Sequence, residues 1–192
     1  MTDLSTWRPR TWITVSGRGQ GSDLGSYEGV GAEFMAERSE WRVGPLGLGW
    51  HGHIAGLATA GFYERRTTNT NVDYVCSSEG GERYSTGSGP ALAFTPASWF
   101  GLHLAAPLSF ALTQASVRCG SSSQARQSAP PVQRTDGTAA FEPRVSLSFN
   151  AGVSLRASGF LTVPLASSDE QVGRYVGKAI GGGATLGLGF AF

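Results

Sequence analysis

The sequence predicts an all-β fold, an eight-stranded antiparallel up-and-down transmembrane β-barrel that takes residues 1–192 as a single domain. Three observations predict it: strand-period alternation with large apolar faces, connections that alternate between long and short, and aromatics gathered at the short-turn ends. The alternation is plainest in the last ten residues, GATLGLGFAF, where Ala184, Leu186, Leu188, Phe190 and Phe192 share one parity and small or polar residues share the other. A period of two is the signature of a strand. A soluble chain rarely ends on its most apolar strand, because termini are usually exposed and frayed. A strand whose outer face meets lipid has no such difficulty.

The same period places the other strands. The first is expected near Arg10–Arg18, and the second over Tyr27–Glu37 with Val30, Ala32, Phe34 and Ala36 on one face. The third, Leu46–Tyr63, sets Leu48, Trp50 and Ile54 against His51 and His53. The fourth, Arg83–Thr95, carries Leu92 and Phe94 outward, and a TPAS turn leads into the fifth, Trp99–Val117, with His103, Ser109 and Thr113 on its inner face. The sixth, Thr138–Phe149, alternates Val145, Leu147 and Phe149 with Arg144, Ser146 and Ser148. A turn at Asn150–Gly152 gives the seventh, Val153–Leu165, and the eighth is Tyr175–Phe192.

Between these strands, 64–82 and 119–137 read as long polar loops, 19–26 and 167–174 are also polar, and the turns near 38–45, 95–98 and 150–152 are short. Short turns on one side and longer loops on the other are the pattern of bacterial membrane barrels. Phe34, Trp41, Phe94, Trp99, Phe100, Phe149, Phe190 and Phe192 are assigned to the short-turn end, where an interfacial aromatic girdle belongs. A soluble antiparallel barrel or sandwich would show the same alternation with its apolar face inward. The faces opposite the apolar ones are mostly Gly, Ser, Ala and Thr, which suit a narrow lumen better than a water-exposed sheet.

Composition narrows the function. Glycine, at 28 of 192 residues, is about twice the usual share and argues against helices. A net charge of +1 without a basic run makes nucleic acid an unexpected partner. No stretch reads as a membrane-spanning helix, since the uncharged run Pro90–Val117 contains Pro96 and Pro107 and alternates. Mean hydropathy of −0.11 is compatible with a barrel that hides half its strand residues in the lumen.

On the closing strand and the connection pattern, the chain resembles the small bacterial outer-membrane barrels, the OmpA/OmpX-like superfamily. The resemblance implies that Phe190 and Phe192 form the terminal signal read by the barrel-assembly machinery. It implies outer-membrane lipids, lipopolysaccharide and phospholipid, as surroundings, and a protein partner met through the long loops. The start, MTDLSTWRPR, has no apolar signal core, so a cleaved signal peptide is expected to precede this numbering.

Candidate chemistry is sparse. Cys76 and Cys119 fall at the starts of the two long loops and, in an oxidising compartment, are expected to pair; the alternative is two free thiols. Glu33 and Glu37 on the second strand and Arg144 and Arg156 on the sixth and seventh project inward. A lone charge there is costly, so a lumen plugged by Glu–Arg pairs is expected, with Glu37 the side chain best placed to reach rim water. His51, His53 and His103 share inner faces, but the third and fifth strands are not neighbours, and hydrogen-bonding histidines are favoured over a metal site. Ser109 shares the parity of His103 but lies about 20 Å along the strand, too far for a Ser–His pair. The expectation is therefore no catalytic residue, cofactor or metal, and a structural or interaction role. A narrow channel, or a lipid-modifying enzyme assembled from loop residues, stays open as an alternative.

Overall fold

A computed structural model describes residues 11–22, 28–59, 63–67, 73–120, 130–168 and 180–191. Its strands are β1 (Thr11–Ser22), β2 (Glu28–Val43), β3 (Leu46–Thr59), β4 (Tyr63–Thr67), β5 (Asp73–Ala97), β6 (Phe100–Ala105), β7 (Leu108–Gly120), β8 (Val132–Phe141), β9 (Arg144–Ala151), β10 (Val153–Ser167) and β11 (Gly181–Ala191). Every pairing is antiparallel. β1 pairs with β2, β2 with β3, and β3 with β5. β5 pairs with both β6 and β7, which pair in turn with β9 and β8. β8 and β9 both meet β10, β10 meets β11, and β11 returns to β1. With β4 off the circuit and β6–β7 and β8–β9 each making one pass, the sheet closes as eight passes. Closure leaves no edge within the barrel wall, which a strand crossing lipid requires.

Two predicted strands are broken in the middle. The fifth gives way between β6 and β7 at Ala106–Pro107, and the sixth between β8 and β9 at Glu142–Pro143. Proline has no N–H for the ladder. The prolines instead accept across the breaks: Ala106 N–H donates to Pro90 O at 3.0 Å, Glu142 N–H to Pro107 O at 3.0 Å and Leu161 N–H to Pro143 O at 3.1 Å. The wall therefore stays hydrogen-bonded through a diagonal of proline carbonyls.

The loops also differ from expectation. Segments 64–82 and 119–137 are in good part strand, because β4 pairs with the start of β5, β7 continues to Gly120 and β8 begins at Val132. Their Ser, Thr and Arg content signals water around them, and a ladder forms as well in water as in lipid. Positions 60–62 and 171–179 lie outside the described residues, so the upper part of the predicted eighth strand and Phe192 are not described. The short turns are tighter than predicted. Gly44 and Gly152 take positive φ, 57° and 87°, which glycine adopts without a Cβ penalty.

The burial pattern separates a membrane barrel from a soluble one. Outward positions are apolar and bare: Val15, Ile54, Leu108, Leu186, Leu188 and Phe190 are each 60–64 % exposed. Inward positions carry the charges: Arg144, Arg156, Glu33 and His51 are at most 2 % exposed. A soluble sheet protein puts its apolar face inside. Here the apolar face encircles a polar interior, the arrangement that lipid outside and polar packing inside demand.

Candidate functional site in the barrel interior

The inward residues of β1, β2, β3, β6, β9 and β10 meet in two layers. In the middle layer, Arg18 donates to Glu33 at 2.7 Å and to Glu142 at 3.0 Å. Arg144 grips Glu33 with two nitrogens, at 2.7 and 2.6 Å, a bidentate fork suited to a carboxylate. It also donates to Glu142 through Nε at 2.9 Å and through Nη2. Phe160 from β10 lies beneath both guanidiniums, with the Arg18 carbon 4.1 Å and the Arg144 carbon 4.9 Å from its ring centre.

The second layer lies toward the short turns and centres on Glu37. Arg156 donates to Glu37 Oε1 at 2.6 Å, and His51 Nδ1 lies 3.2 Å from the same oxygen. His103 Nδ1 approaches Oε2 at 2.8 Å, off its hydrogen-bonding direction, while its Nε2 sits 3.0 Å from Ser148 Oγ. The Trp12 indole packs edge-on against the His103 ring at 5.0 Å between centres.

Backbone shape makes room for these rings. A Cβ at Gly101 would stand 2.7 Å from Ser148 Oγ and 2.9 Å from His103 Nε2, and one at Gly87 would strike the His53 ring. Glycine on the inner face of β5 and β6 is thus what lets histidine occupy the lumen. In these two layers the charges balance one for one, with Arg18, Arg144 and Arg156 against Glu33, Glu37 and Glu142, and the other buried charges among the described residues, Arg83 and Asp136, are one of each sign. Balance is what a low-dielectric interior asks of buried ions.

Of the residues singled out from sequence, Glu33 and Arg144 meet directly, whereas Arg156 joins Glu37 and not Glu33. Glu37 is 4 % exposed, so it does not extend into rim water. Its counter-charge comes from β10 across the lumen, a pairing that strand parity alone does not reveal. Arg18 and Glu142 were missed. Arg18 stood at the expected strand end, and Glu142 sits at a proline break that the continuous sixth strand concealed. Cys76 and Cys119 lie on β5 and β7, not at loop starts, and face each other in register. Phe190 points outward and pairs with Ile13 of β1, while Phe192 lies outside the described residues.

Two arrangements resemble reactive sites. Donor atoms of Glu33, His53 and Glu142 fall within 4.8 Å of one another. Both carboxylates are already held by two guanidiniums, and a divalent cation would add two charges to a balanced, buried interior. The donor set does not suit a metal. Glu37, His103 and Ser148 stand in the order acid, base, nucleophile, although their strands are not consecutive. His103 finds its serine on neighbouring β9, where the intrastrand test of Ser109 had no reach. Ser148 is wholly buried, and Glu37 already serves Arg156 and His51, so the triplet lacks the access that acyl transfer requires.

No protein-family model and no curated protein sequence matches the chain. The fold does have neighbours among solved structures, two of which are small outer-membrane β-barrels. Ail, the attachment invasion locus protein of Yersinia pestis, solved with the heparin analogue sucrose octasulfate, is 17 % identical, with 95 % of this chain and 96 % of that one covered at a TM-score of 0.51. Neisserial surface protein A is 15 % identical over the same shares, at a TM-score of 0.52. The chain shares with them a closed eight-stranded antiparallel barrel of the outer-membrane type.

Proposed function

We propose that this protein is a non-enzymatic outer-membrane barrel with a sealed lumen, which holds the outward extensions of β4, β5 and β7 at the cell surface for an extracellular partner. The observation that carries the reading is the balanced set of three guanidiniums and three carboxylates joined across the interior. Such a network spends the lumen on cohesion. What remains for contact with other molecules is the part beyond the membrane, where β5 runs on to Asp73 with β4 on one side and β7 on the other.

Cys76 and Cys119, opposite each other in register, fit a cross-strand disulfide that ties this extension together. Because Ail was solved with a heparin analogue, sulfated glycans are the first partner class to test, and Arg65, Arg66, Arg118 and Arg134 lie on the outer strand segments. Barrel-assembly machinery recognising the end of β11, and an N-terminal signal peptide removed on export, complete the proposal.

Purified barrel in detergent is expected to migrate faster unboiled than boiled on SDS gels, to leave planar bilayers silent and to retain heparin-class ligands until the extension is trimmed. Steady conductance from the folded protein would sink the sealed reading. A serine-directed fluorophosphonate is expected to leave Ser148 unlabelled, and labelling lost in Ser148→Ala would instead favour an enzyme.

A further inference from the structure

We infer that the barrel is a latent channel whose seal is the ring of Phe160, with the surrounding ion pairs serving to hold that ring in place. The inference rests on the sealed-lumen reading and names the group responsible. Phe160 is 5 % exposed and projects inward from β10, in register with Arg144 of β9 and Gly183 of β11. A Cβ built at Gly183 would stand 2.5 Å from the Phe160 Cζ and 3.0 Å from Cε1, so the ring reaches across to the β11 wall. Guanidiniums from β1 and β9 cover it.

The rest of that wall is small and polar except for Arg156, which lies between Ser154 and Ser158 and reaches Glu37 across the lumen. Toward the short turns lie Ser154, Ser158 and Thr185, and two residues beyond Phe160 on the other side lies Thr162. The hydroxyls of all four are buried and have no hydrogen-bond partner among the described residues. Buried hydroxyls without partners take up water wherever room opens beside them. Paired guanidinium and carboxylate groups also tolerate water, since each keeps donors or acceptors to spare. An aromatic ring offers water nothing, and constrictions of this kind close pores by dewetting. The ring therefore interrupts a polar file that runs from Ser154 past the Arg156–Glu37 pair and Ser158 to Thr162. Because the lumen charges cancel, the opened file would pass small neutral and hydrated solutes without binding a particular ion.

The test is planar-bilayer conductance, with liposome swelling in small sugars, on the full chain and on Phe160→Ala, Phe160→Val, Phe160→Trp and Arg144→Gln, each first checked for heat-modifiable mobility. The expected result is silence from the unaltered protein and Phe160→Trp, and discrete openings with faster swelling from whichever of Phe160→Ala and Phe160→Val folds. Folded Phe160→Ala or Phe160→Val that stays silent overturns the inference. So does Arg144→Gln conducting while the Phe160 variants do not, since the ion pairs would then be the seal. Conductance from the unaltered protein equal to that of Phe160→Ala removes the sealed-lumen reading itself.

Discussion

Single residues in the lumen answer to two constraints, charge balance and space, and each predicts a substitution. Glu33 receives both Arg18 and Arg144, so Glu33→Gln keeps the volume and leaves two buried cations to share the single carboxylate of Glu142. Breaking a buried pair from one side costs about 3–5 kcal/mol. Urea unfolding of the barrel in lipid vesicles is expected to register that loss, and a change under 1 kcal/mol would mean that water already serves the guanidiniums. Space gives the second prediction. Gly101→Ala drives a methyl into His103 and Ser148 and is expected to cost about 1–3 kcal/mol. Gly19→Ala, with open space at its Cβ, is expected to be neutral or to stabilise by a few tenths of a kcal/mol, because alanine restricts the unfolded chain. Equal effects from the two would show that inner-face packing does not set the requirement for glycine.

At the scale of elements, the extension above the barrel predicts a redox effect. If Cys76 and Cys119 are bonded, reduction releases the outer ends of β5 and β7 while the lipid-embedded ladders persist. A bridge closing a loop of this length stabilises by on the order of 4 kcal/mol in the chain-entropy account. Since those strands are already paired, the expected reading is local: faster proteolysis within 60–80 and 118–132 on reduction, with the heat-modifiable band unchanged. Protection that ignores reductant would point to free thiols. The strands that face lipid were legible in the sequence because one face had to be apolar, as in Leu186, Leu188 and Phe190. The extensions were not, because a ladder in water imposes no such alternation, and Ser, Thr and Gly read as loop. The proline breaks were hidden for a related reason: Pro107 and Pro143 disturb the ladder without disturbing parity. Within the site, strand parity put Glu33, Glu37, Arg144 and Arg156 on inner faces, and all four side chains are buried. Partner choice lay beyond it, because Glu37 and Arg156 meet across a lumen whose shear one strand cannot reveal.

For the whole molecule, the decisive property is that its solvent order is reversed, with apolar residues bare on the outside and ions within. In water that surface would be a liability, since exposed apolar patches of such extent drive association. In a bilayer it is the source of stability, and the two environments give opposite answers for one substitution. Leu186 lies on the outer face of β11 at the level where Thr185 and Arg18 are cross-strand neighbours, alongside the central ion-pair layer, and is therefore near mid-membrane. Leu186→Arg is expected to cost about 2–4 kcal/mol when the barrel unfolds from lipid, whereas a charge near the interface costs at most about 1 kcal/mol. Val153, beside the short Gly152 turn, supplies that interfacial comparison as Val153→Arg. A steep difference between the two sites, read by reversible unfolding in vesicles, follows directly from a lipid-facing outer surface. Equal and negligible effects would mean that the apolar belt does not sit in a bilayer and that the two ends of the barrel do not lie on opposite sides of a membrane.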